Sequence, residues 1–301
     1  MSVSIGRRAF RTAVVPAAGL GTRFLPTTKA VPKELLPVVD TPAIEYVAAE
    51  AAQAGADRLV LVVSPGKESI AAYFDTNPDL EAGLRGRGRA TLLAKVRRAA
   101  ELIRAEVAVQ HKPLGLGHAV GCAESLLDDS DDVVAVLLPD DLVLPTGVLT
   151  TMAAVRQRHG GSVLCAFDVP GDQISAYGVF DIDDTDQPDV KRVRGMVEKP
   201  APEAAPSTFG AAGRYLLDRA VFAALHRIAP GAGGELQLTD AVSVLIAEGH
   251  PVHVVVHRGQ RHDLGNPAGL LRASVDFALS DPDLGPDLRR WLRDRLEQET
   301  T

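Results

Sequence analysis

Short apolar runs, several of them separated by segments with a helical pattern, recur through the first half of the chain. The runs are Ala13–Val15, Leu59–Val63, Val107–Val109, Val133–Leu138 and Val163–Phe167. They are apolar on both faces, as expected of strands in a sheet that helices cover on both sides. Strands that alternate with helices favour a largely parallel sheet. The sequence therefore predicts an α/β fold in which helices flank a mostly parallel central sheet.

The first long helix has recognisable signals at both of its ends. Thr41 followed by Pro42 predicts a capping hydroxyl and a proline in the first turn. The apolar residues that follow share one helical face, and Gly55 is expected to end the helix.

The second half of the chain has a different pattern, in which strand-like runs are separated by segments rich in Asp and Pro. The predicted strands are Tyr177–Ile182, Gly195–Glu198 and Gly213–Leu217. Helices are predicted at Asp218–Ile228, Asp240–Glu248, Pro267–Leu279 and Pro286–Leu296. These segments predict a smaller β-rich portion within the same domain.

Composition excludes several classes of protein. The formal net charge is −7, whereas a nucleic-acid-binding domain is usually basic. The two cysteines, Cys122 and Cys165, favour a reducing compartment over a disulfide framework. The segment Met1–Arg8 lacks the apolar core of a signal peptide, and no apolar run approaches the ~20 residues of a membrane span. We expect a cytoplasmic protein that binds neither nucleic acid nor membranes.

A loop with two glycines and two cations follows the first apolar run. Gly19 and Gly21 allow the backbone to close on a polyphosphate, while Arg23 and Lys33 add positive charge. A dinucleotide fingerprint would need a third glycine where Phe24 stands, and a P-loop would need Gly-Lys-Ser/Thr. The pattern therefore indicates nucleotide chemistry outside those two classes.

Seven blocks of residues carry a resemblance to one family. Ala17-Ala-Gly-Leu-Gly-Thr-Arg-Phe-Leu-Pro26, continued by Lys29-Ala-Val-Pro-Lys-Glu-Leu-Leu-Pro37, resembles the signature of the sugar-1-phosphate nucleotidylyltransferases. The other blocks follow in the family's order and are Gln110 with Gly115-Leu-Gly-His-Ala119, Leu138-Pro-Asp-Asp141, Ala176-Tyr-Gly-Val179, Val197-Glu-Lys-Pro200, Gly213-Arg-Tyr215 and Gly231-Ala-Gly-Gly-Glu-Leu-Gln-Leu-Thr-Asp240. The resemblance extends from about Thr12 to Leu296 and is strongest to the bacterial uridylyltransferases.

The resemblance implies a fold and a division of the chain. The fold would be a Rossmann-like nucleotidyltransferase fold, in a single catalytic domain over residues 10–280. About 10–145 would bind the nucleotide and about 146–265 the sugar phosphate. A basic helical insertion would occupy 76–105, interpreted as a solvated helix face, and a helical tail 281–301.

The resemblance also implies a reaction between UTP and glucose 1-phosphate that gives UDP-glucose and pyrophosphate. Such chemistry needs positioning and charge neutralisation more than a protein nucleophile. Arg23 and Lys33 would neutralise charge on the leaving pyrophosphate. The remaining nucleotide-binding residues would be Ala18, Gly19, Gly21, Thr22, Glu34, Gln110, Gly115 and Gly117, with the Gln110 amide reading the uracil edge.

On the sugar side, the resemblance assigns Gly178 to packing against the sugar, Glu198 to its hydroxyls and Lys199 to its phosphate, so that Lys199 joins Arg23 and Lys33 as a catalytic residue. Asp140 follows a buried strand, where ligands of open α/β sheets bind, and it would hold Mg²⁺ together with Asp263.

Two other functions stay open from the sequence. The first is a related transferase that uses another nucleotide or sugar, such as a thymidylyltransferase. The second is a regulatory relative that binds ligands without turnover. By resemblance we expect a homo-oligomer, either a dimer or a tetramer.

Overall fold

The computed structural model describes residues 9–299, and within them the chain forms thirteen strands and ten α-helices. The strands are β1 (Thr12–Pro16), β2 (Pro37–Val38), β3 (Thr41–Pro42), β4 (Arg58–Val63), β5 (Arg104–Val109), β6 (Val133–Leu137), β7 (Asp141–Leu144), β8 (Ser162–Asp168), β9 (Gly178–Asp184), β10 (Val190–Glu198), β11 (Phe209–Asp218), β12 (Val252–Val256) and β13 (Gln260–Asp263).

The helices are α1 (Ala43–Gln53), α2 (Glu68–Ala72), α3 (Pro78–Gly86), α4 (Ala90–Leu102), α5 (Leu116–Cys122), α6 (Val148–His159), α7 (Ala220–Leu225), α8 (Leu238–Ala247), α9 (Pro267–Ser280) and α10 (Gly285–Glu299). Residues 1–8, on which the expectation of no signal peptide depends, lie outside the described residues. So do residues 300 and 301, at the end of the predicted tail.

Nine strands form one sheet in the order β5-β4-β1-β6-β11-β8-β12-β10-β9. The β5-β4-β1-β6 part and the β8-β12 pair are parallel. The remaining pairings, made by β11, β10 and β9, are antiparallel. The predicted α/β architecture is confirmed, and the β-rich second half supplies the antiparallel strands of the same sheet.

Every strand predicted from an apolar run is present, usually longer than its run. β5, for example, begins at Arg104, three residues before Val107. The two faces of the sheet pack against separate helical layers, as the doubly apolar pattern predicts. Ala13 and Val15 of β1 belong to the core that α1 covers, whereas Val14 belongs to the core that α5, α7 and α8 cover.

The predicted start of the first helix is wrong in its detail. The residue at the helix N-cap is Pro42, and no side chain caps the helix. Thr41 lies in β3, where its hydroxyl donates to Asp40 Oδ1 at 3.0 Å and accepts from Arg98 Nη2 at 3.0 Å. Those partners engage the hydroxyl that was expected to cap. Gly55 does follow the end of α1, with a φ of 104° that suits glycine.

Two antiparallel strands that the sequence analysis did not predict form a small ribbon outside the main sheet. β7 pairs with β13, and the register places Asp263 opposite Asp141. The Leu264 N–H also donates to the Asp140 carbonyl at 2.7 Å. The ribbon therefore brings together two segments that are more than a hundred residues apart in the chain.

Helices α3 and α4 occupy the segment that was predicted as a basic insertion. Several of its cations are paired with carboxylates, such as Arg97 with Glu81 at 2.7 Å and Lys95 with Asp40 at 2.5 Å. This pairing agrees with a solvated helix face. Among the described helices, none has the length and apolar character needed to cross a membrane.

Candidate active site

The glycine loop begins where β1 ends, at the carboxyl edge of the parallel strands. Gly21 has a φ of 65°, in the left-handed region that favours glycine. A Cβ on Gly21 would lie 3.0 Å from Thr28 Cγ2 and 3.3 Å from Lys33 Cβ. The Thr28 hydroxyl donates to the Gly21 carbonyl at 2.8 Å. Backbone conformation and close packing thus both require glycine here.

Glu34 lies beneath this loop, with a side chain that has no exposed surface. Both of its carboxylate oxygens accept from Lys67 Nζ, at 3.2 and 3.0 Å. Burial raises the pKa of Glu34 more than Lys67 and Lys33 lower it. The structure therefore places Glu34, which was predicted to bind nucleotide, where its side chain supports the loop from below.

Lys33 and Asp140 meet at the centre of the site. Lys33 Nζ lies 2.5 Å from Asp140 Oδ2. Burial raises the pKa of Asp140, but the Lys33 charge, its hydrogen bond and Arg261 together lower that pKa below its ordinary value. Asp140 is therefore held as a carboxylate. Its neighbour Asp141 points elsewhere and accepts from the Gly213 N–H at 2.7 Å.

Asp263 lies close to Asp140 because the β7–β13 ribbon joins their backbones. A Cβ on Gly265 would lie 2.9 Å from Asp263 Oδ1, 3.4 Å from Asp140 Oδ2 and 3.7 Å from Arg23 Nη1. Both carboxylate oxygens therefore lie within 3.4 Å of one point. Arg23 Nη1 also donates to the Gly265 carbonyl at 3.5 Å.

This pair of carboxylates fits what Mg²⁺ requires in nucleotide enzymes. The ion prefers hard oxygen ligands and is usually held by one or two carboxylates together with substrate phosphates and water. Within residues 9–299, no group of three or more His, Cys, Asp or Glu side chains could hold a metal on its own. Asp140 and Asp263 are thus suited to an ion that arrives with a phosphate ligand.

A first cleft, of about 330 Å³, opens beside the glycine loop. The lining residues that were predicted from the sequence are Ala18, Gly19, Lys33, Gln110, Gly115 and Asp140. Gln110 follows β5, and its amide nitrogen is 3.1 Å from the Gly115 carbonyl and 2.9 Å from His118 Nδ1. These contacts hold the amide in place and leave its carbonyl oxygen to accept from a ligand N–H.

Gly115 and Gly117 are required by packing within the protein. A Cβ on Gly115 would lie 2.7 Å from Glu235 Cβ, and one on Gly117 would lie 2.7 Å from the Leu236 carbonyl oxygen. The Gly117 N–H donates to that carbonyl at 2.8 Å. Gly115 lines the first cleft, whereas Gly117 is covered by Leu236 and lines neither this cleft nor the one next to it.

A second cleft, also of about 330 Å³, adjoins the first. Asp140 lines both clefts, and Arg23, Gly178, Glu198, Lys199 and Asp263 line the second. A Cβ on Gly178 would lie 2.7 Å from Met196 Cε, 3.0 Å from Thr239 Cγ2 and 3.2 Å from Glu198 Oε2, so close packing beside this carboxylate requires glycine. Thr22 is exposed and lines neither cleft.

Lys199 has an unusual backbone conformation at the mouth of the second cleft. Its φ is 45°, in the left-handed region that non-glycine residues rarely adopt. The Lys199 N–H donates to the Tyr177 carbonyl at 3.0 Å, and this bond holds the turn. Lys199 Nζ lies 3.2 Å from Glu198 Oε1. Such strain is characteristic of functional positions that the surrounding structure holds in place.

Arg261 is a residue of this site that the sequence analysis did not identify. Its guanidinium lies 4.3 Å from the Phe167 ring centroid and 5.0 Å from that of Tyr177. Arg261 Nε is 2.7 Å from Asp141 Oδ1, and Nη1 donates to the Tyr177 hydroxyl at 3.1 Å. Arg261 thereby links the β7–β13 ribbon to the turn that carries Lys199. The only sequence signal for Arg261 is its position two residues before Asp263, which places both side chains on the same face of a strand.

Arg214 is a second residue that the sequence analysis did not assign. Its side chain is fully buried and donates to Glu50 Oε2 from Nε at 2.9 Å and from Nη2 at 2.8 Å. Nη1 donates to the Leu138 carbonyl at 3.1 Å, two residues before Asp140. The buried pair therefore fixes the turn that presents Asp140.

The chain is similar to known proteins over nearly its whole length. The family model described as nucleotidyl transferase matches residues 12–279. The UTP–glucose-1-phosphate uridylyltransferase YngB of Bacillus subtilis is 40% identical over 98% of both chains. A UTP-bound UGPase structure from Acinetobacter baumannii has a TM-score of 0.85 and 37% identity, covering 94% of this chain and 98% of that one.

A structure of UDP-glucose pyrophosphorylase complexed with UDP-glucose has a TM-score of 0.80 and 33% identity, covering 90% of this chain and 100% of the other. The residues that the family model matches include the glycine loop, the residues that line both clefts, and the ribbon. The chain therefore belongs to the nucleotidyl transferase family, among the UTP–glucose-1-phosphate uridylyltransferases.

Proposed function

We propose that the protein transfers a uridylyl group from UTP to α-D-glucose 1-phosphate, giving UDP-glucose and pyrophosphate. One observation carries the proposal. Two adjoining clefts share Asp140, and the glycine loop with Lys33 lies on one side while Glu198 and Lys199 lie on the other. Two substrates bound in these clefts would bring their phosphates together at Asp140.

On the nucleotide side, the loop and Lys33 hold the triphosphate, while Arg23 of the same loop lines the second cleft beside Asp140. The N–H groups of the glycine loop suit phosphate oxygens, and Gln110 accepts from the uracil N–H. As the α-phosphorus is attacked, the bond to the leaving pyrophosphate breaks in line and negative charge accumulates there. Arg23 and Lys33 neutralise this charge, so the departure of pyrophosphate needs no proton.

On the sugar side, the attacking atom is an oxygen of the sugar phosphate, which is already anionic and needs no general base. Lys199 holds this phosphate, and Glu198 accepts hydrogen bonds from sugar hydroxyls. Gly178 lines the same cleft as Glu198 and would pack against the sugar. Orientation of both reactants in one cleft pair supplies most of the rate acceleration expected of this chemistry.

Asp140 and Asp263 are the residues that would hold Mg²⁺. When bound, the ion supplies charge neutralisation at the phosphate oxygens. The fit rests on the two carboxylates, which line the second cleft together. It also rests on the lowered pKa of Asp140, which keeps that group ionised.

We also propose that the enzyme is cytoplasmic and homo-oligomeric. Cys122 and Cys165 are both free thiols, which suits a reducing compartment. Light scattering coupled to gel filtration of the purified protein tests the oligomeric state directly. A mass of one chain at micromolar concentration would contradict the oligomer.

The test of the function is pyrophosphate release from UTP and glucose 1-phosphate. We expect release that requires both substrates, depends on Mg²⁺ and stops when EDTA is added. Parallel reactions replace UTP by dTTP, because a thymidylyltransferase would favour dTTP. Tight binding of UDP-glucose by a folded protein that releases no pyrophosphate would instead indicate a regulatory relative.

A further inference from the structure

Lys67 is a largely buried lysine that the proposed reaction does not use. It precedes α2, and its side chain is 12% exposed. Its Nζ is 2.7 Å from the Ala17 carbonyl, 2.6 Å from the Gly19 carbonyl and 3.0 Å from the nearer oxygen of Glu34. An ammonium has three N–H donors, so these partners use all of them. Lys67 lines neither cleft and lies beneath the glycine loop.

The two carbonyl contacts determine which way the loop's N–H groups point. In a trans peptide the C=O and the following N–H point in opposite directions. The Ala17 and Gly19 carbonyls are directed at Lys67, so the N–H groups of Ala18 and Leu20 are directed away from it.

The loop is correspondingly rich in free donors. Within the described part of the chain, the N–H groups of Ala18, Gly19, Leu20 and Gly21 donate to no other protein group. Ala18 and Gly19 line the nucleotide cleft. Successive N–H groups that face the same way form an anion-binding concavity.

The third contact of Lys67 connects the loop to Lys33. Glu34 is buried and follows Lys33 directly in the chain. Fixing Glu34 therefore fixes the start of the Lys33 side chain, whose Nζ contacts Asp140. Burial lowers the pKa of Lys67, and the Glu34 carboxylate opposes that shift. The Lys67 ammonium thus holds both the glycine loop, with its backbone N–H donors, and the segment that carries Lys33.

We propose that Lys67 is a positioning residue for the triphosphate, an inference that rests on the proposed function. It touches no substrate. It orients the N–H groups of the glycine loop toward the phosphates and, through Glu34, holds Lys33 in reach of them. The phosphate part of the nucleotide should therefore depend on Lys67, whereas the nucleoside part should not.

The test compares the binding of UTP and of uridine by calorimetry in EDTA, for the parent and for Lys67→Met. Methionine keeps the length of the side chain and removes its donors. We expect the Kd for UTP to rise by about tenfold or more, as for loss of charge-assisted hydrogen bonds, and the Kd for uridine to stay within about twofold. A purely structural role would weaken both ligands equally, and that outcome would overturn the proposal.

Two further variants separate position from charge. Lys67→Arg keeps the positive charge, but its planar fork does not reproduce one nitrogen shared by two carbonyls. We expect it to bind UTP at least about threefold more weakly than the parent. Parent-like binding of UTP by Lys67→Arg would overturn the positioning role. Lys191→Met is the matched control, because Lys191 pairs with Asp184 at 2.8 Å on β10, away from the loop.

If Lys67→Met does not fold, as judged by circular dichroism, the Glu34→Gln variant tests the proposal instead. It keeps the volume of Glu34 and removes the charged partner of Lys67, so we expect a selective, smaller loss of UTP affinity. An unchanged ratio of UTP to uridine affinity would overturn the proposal. The proposed function is judged separately, because its failure would appear as a parent protein that releases no pyrophosphate.

Discussion

Asp140 is a charged residue that lines both clefts, and its environment keeps it charged. We predict that Asp140→Asn lowers kcat for pyrophosphate release by roughly 10²- to 10³-fold while the protein stays folded. Asparagine keeps the shape but removes the charge that pairs with Lys33 and that would hold Mg²⁺. The measurement is steady-state turnover with saturating substrates, beside Asp184→Asn as a surface control. Near-parental turnover of Asp140→Asn would contradict the metal assignment.

Lys199 is held in a strained backbone conformation with its side chain 58% exposed at the mouth of the second cleft. We predict that Lys199→Ala raises the KM for glucose 1-phosphate by roughly ten- to a hundredfold. The reason is that a hydrogen bond to a charged group contributes about 1.5–3 kcal/mol. The KM for UTP should change by less than about twofold, because the loop and its cations are untouched. Equal changes for both substrates would show that Lys199 does not act on the sugar phosphate alone.

Some residues of the site could be predicted because they are neighbours in sequence. The glycines, Arg23 and Lys33 lie on one loop after a strand, so their combination can be recognised within a short stretch of sequence. Lys67 could not be predicted, because its role depends on carbonyls about fifty residues away that only the fold brings near. Glu34 was assigned from its block alone, and only the fold shows that it faces inward.

At the scale of elements, a buried ion pair joins α1 to β11 beneath the turn that presents Asp140. Arg214 and Glu50 are almost fully buried and contact each other at 2.8 Å. We predict that Glu50→Ala lowers the free energy of unfolding by about 3–5 kcal/mol, because it leaves the arginine charge buried without a partner.

Urea denaturation followed by circular dichroism measures this change. Asp184→Ala serves as the comparison, since it breaks the pair with Lys191 in which the aspartate is 87% exposed. Its cost should be below about 1 kcal/mol. Similar midpoints for the two variants would mean that the buried pair has little influence on stability.

Strands with apolar runs were predictable, and the β7–β13 ribbon was not. Each of its strands has four residues, too few to show a periodic pattern, and their pairing depends on contacts between distant segments. The predicted start of α1 was wrong for a related reason. Asp40 and Arg98 compete for the Thr41 hydroxyl, and Arg98 lies on a helix that local sequence cannot relate to that position.

At the scale of the whole molecule, ion pairs at the edge of the sheet make the free energy of unfolding depend on pH. The Glu106 carboxylate on the edge strand β5 accepts from Arg58 Nε at 3.1 Å and from Nη2 at 2.9 Å. Hydrogen bonding to Arg58 is the main cause that lowers the pKa of Glu106 below 4.5. The stability from this pair is therefore fully present above that pH and is lost as the pH falls through the folded-state pKa.

We predict that Glu106→Gln is less stable than the parent at pH 7 and that the difference shrinks as the pH falls below about 4.5. Comparing the two proteins isolates this group from Glu34, whose raised pKa acts in the opposite direction. Urea unfolding at several pH values provides the measurement. A difference that stays constant down to pH 3 would contradict the role of the Arg58 pair.

The β7–β13 ribbon has a consequence for how such an enzyme can diversify. Its two strands hold the ends of residues 145–259 side by side at Leu144 and Gln260, while Asp141 and Asp263 pair at the other end of the ribbon. Gly178, Glu198 and Lys199 all lie within residues 145–259. Changes inside this stretch can remodel which acceptor is recognised, while the register Asp141 to Asp263 keeps the phosphoryl-transfer centre in place. Acceptor choice can thus vary within this stretch as long as Gly213 and Arg214, which also lie in it, keep their contacts at the turn that presents Asp140.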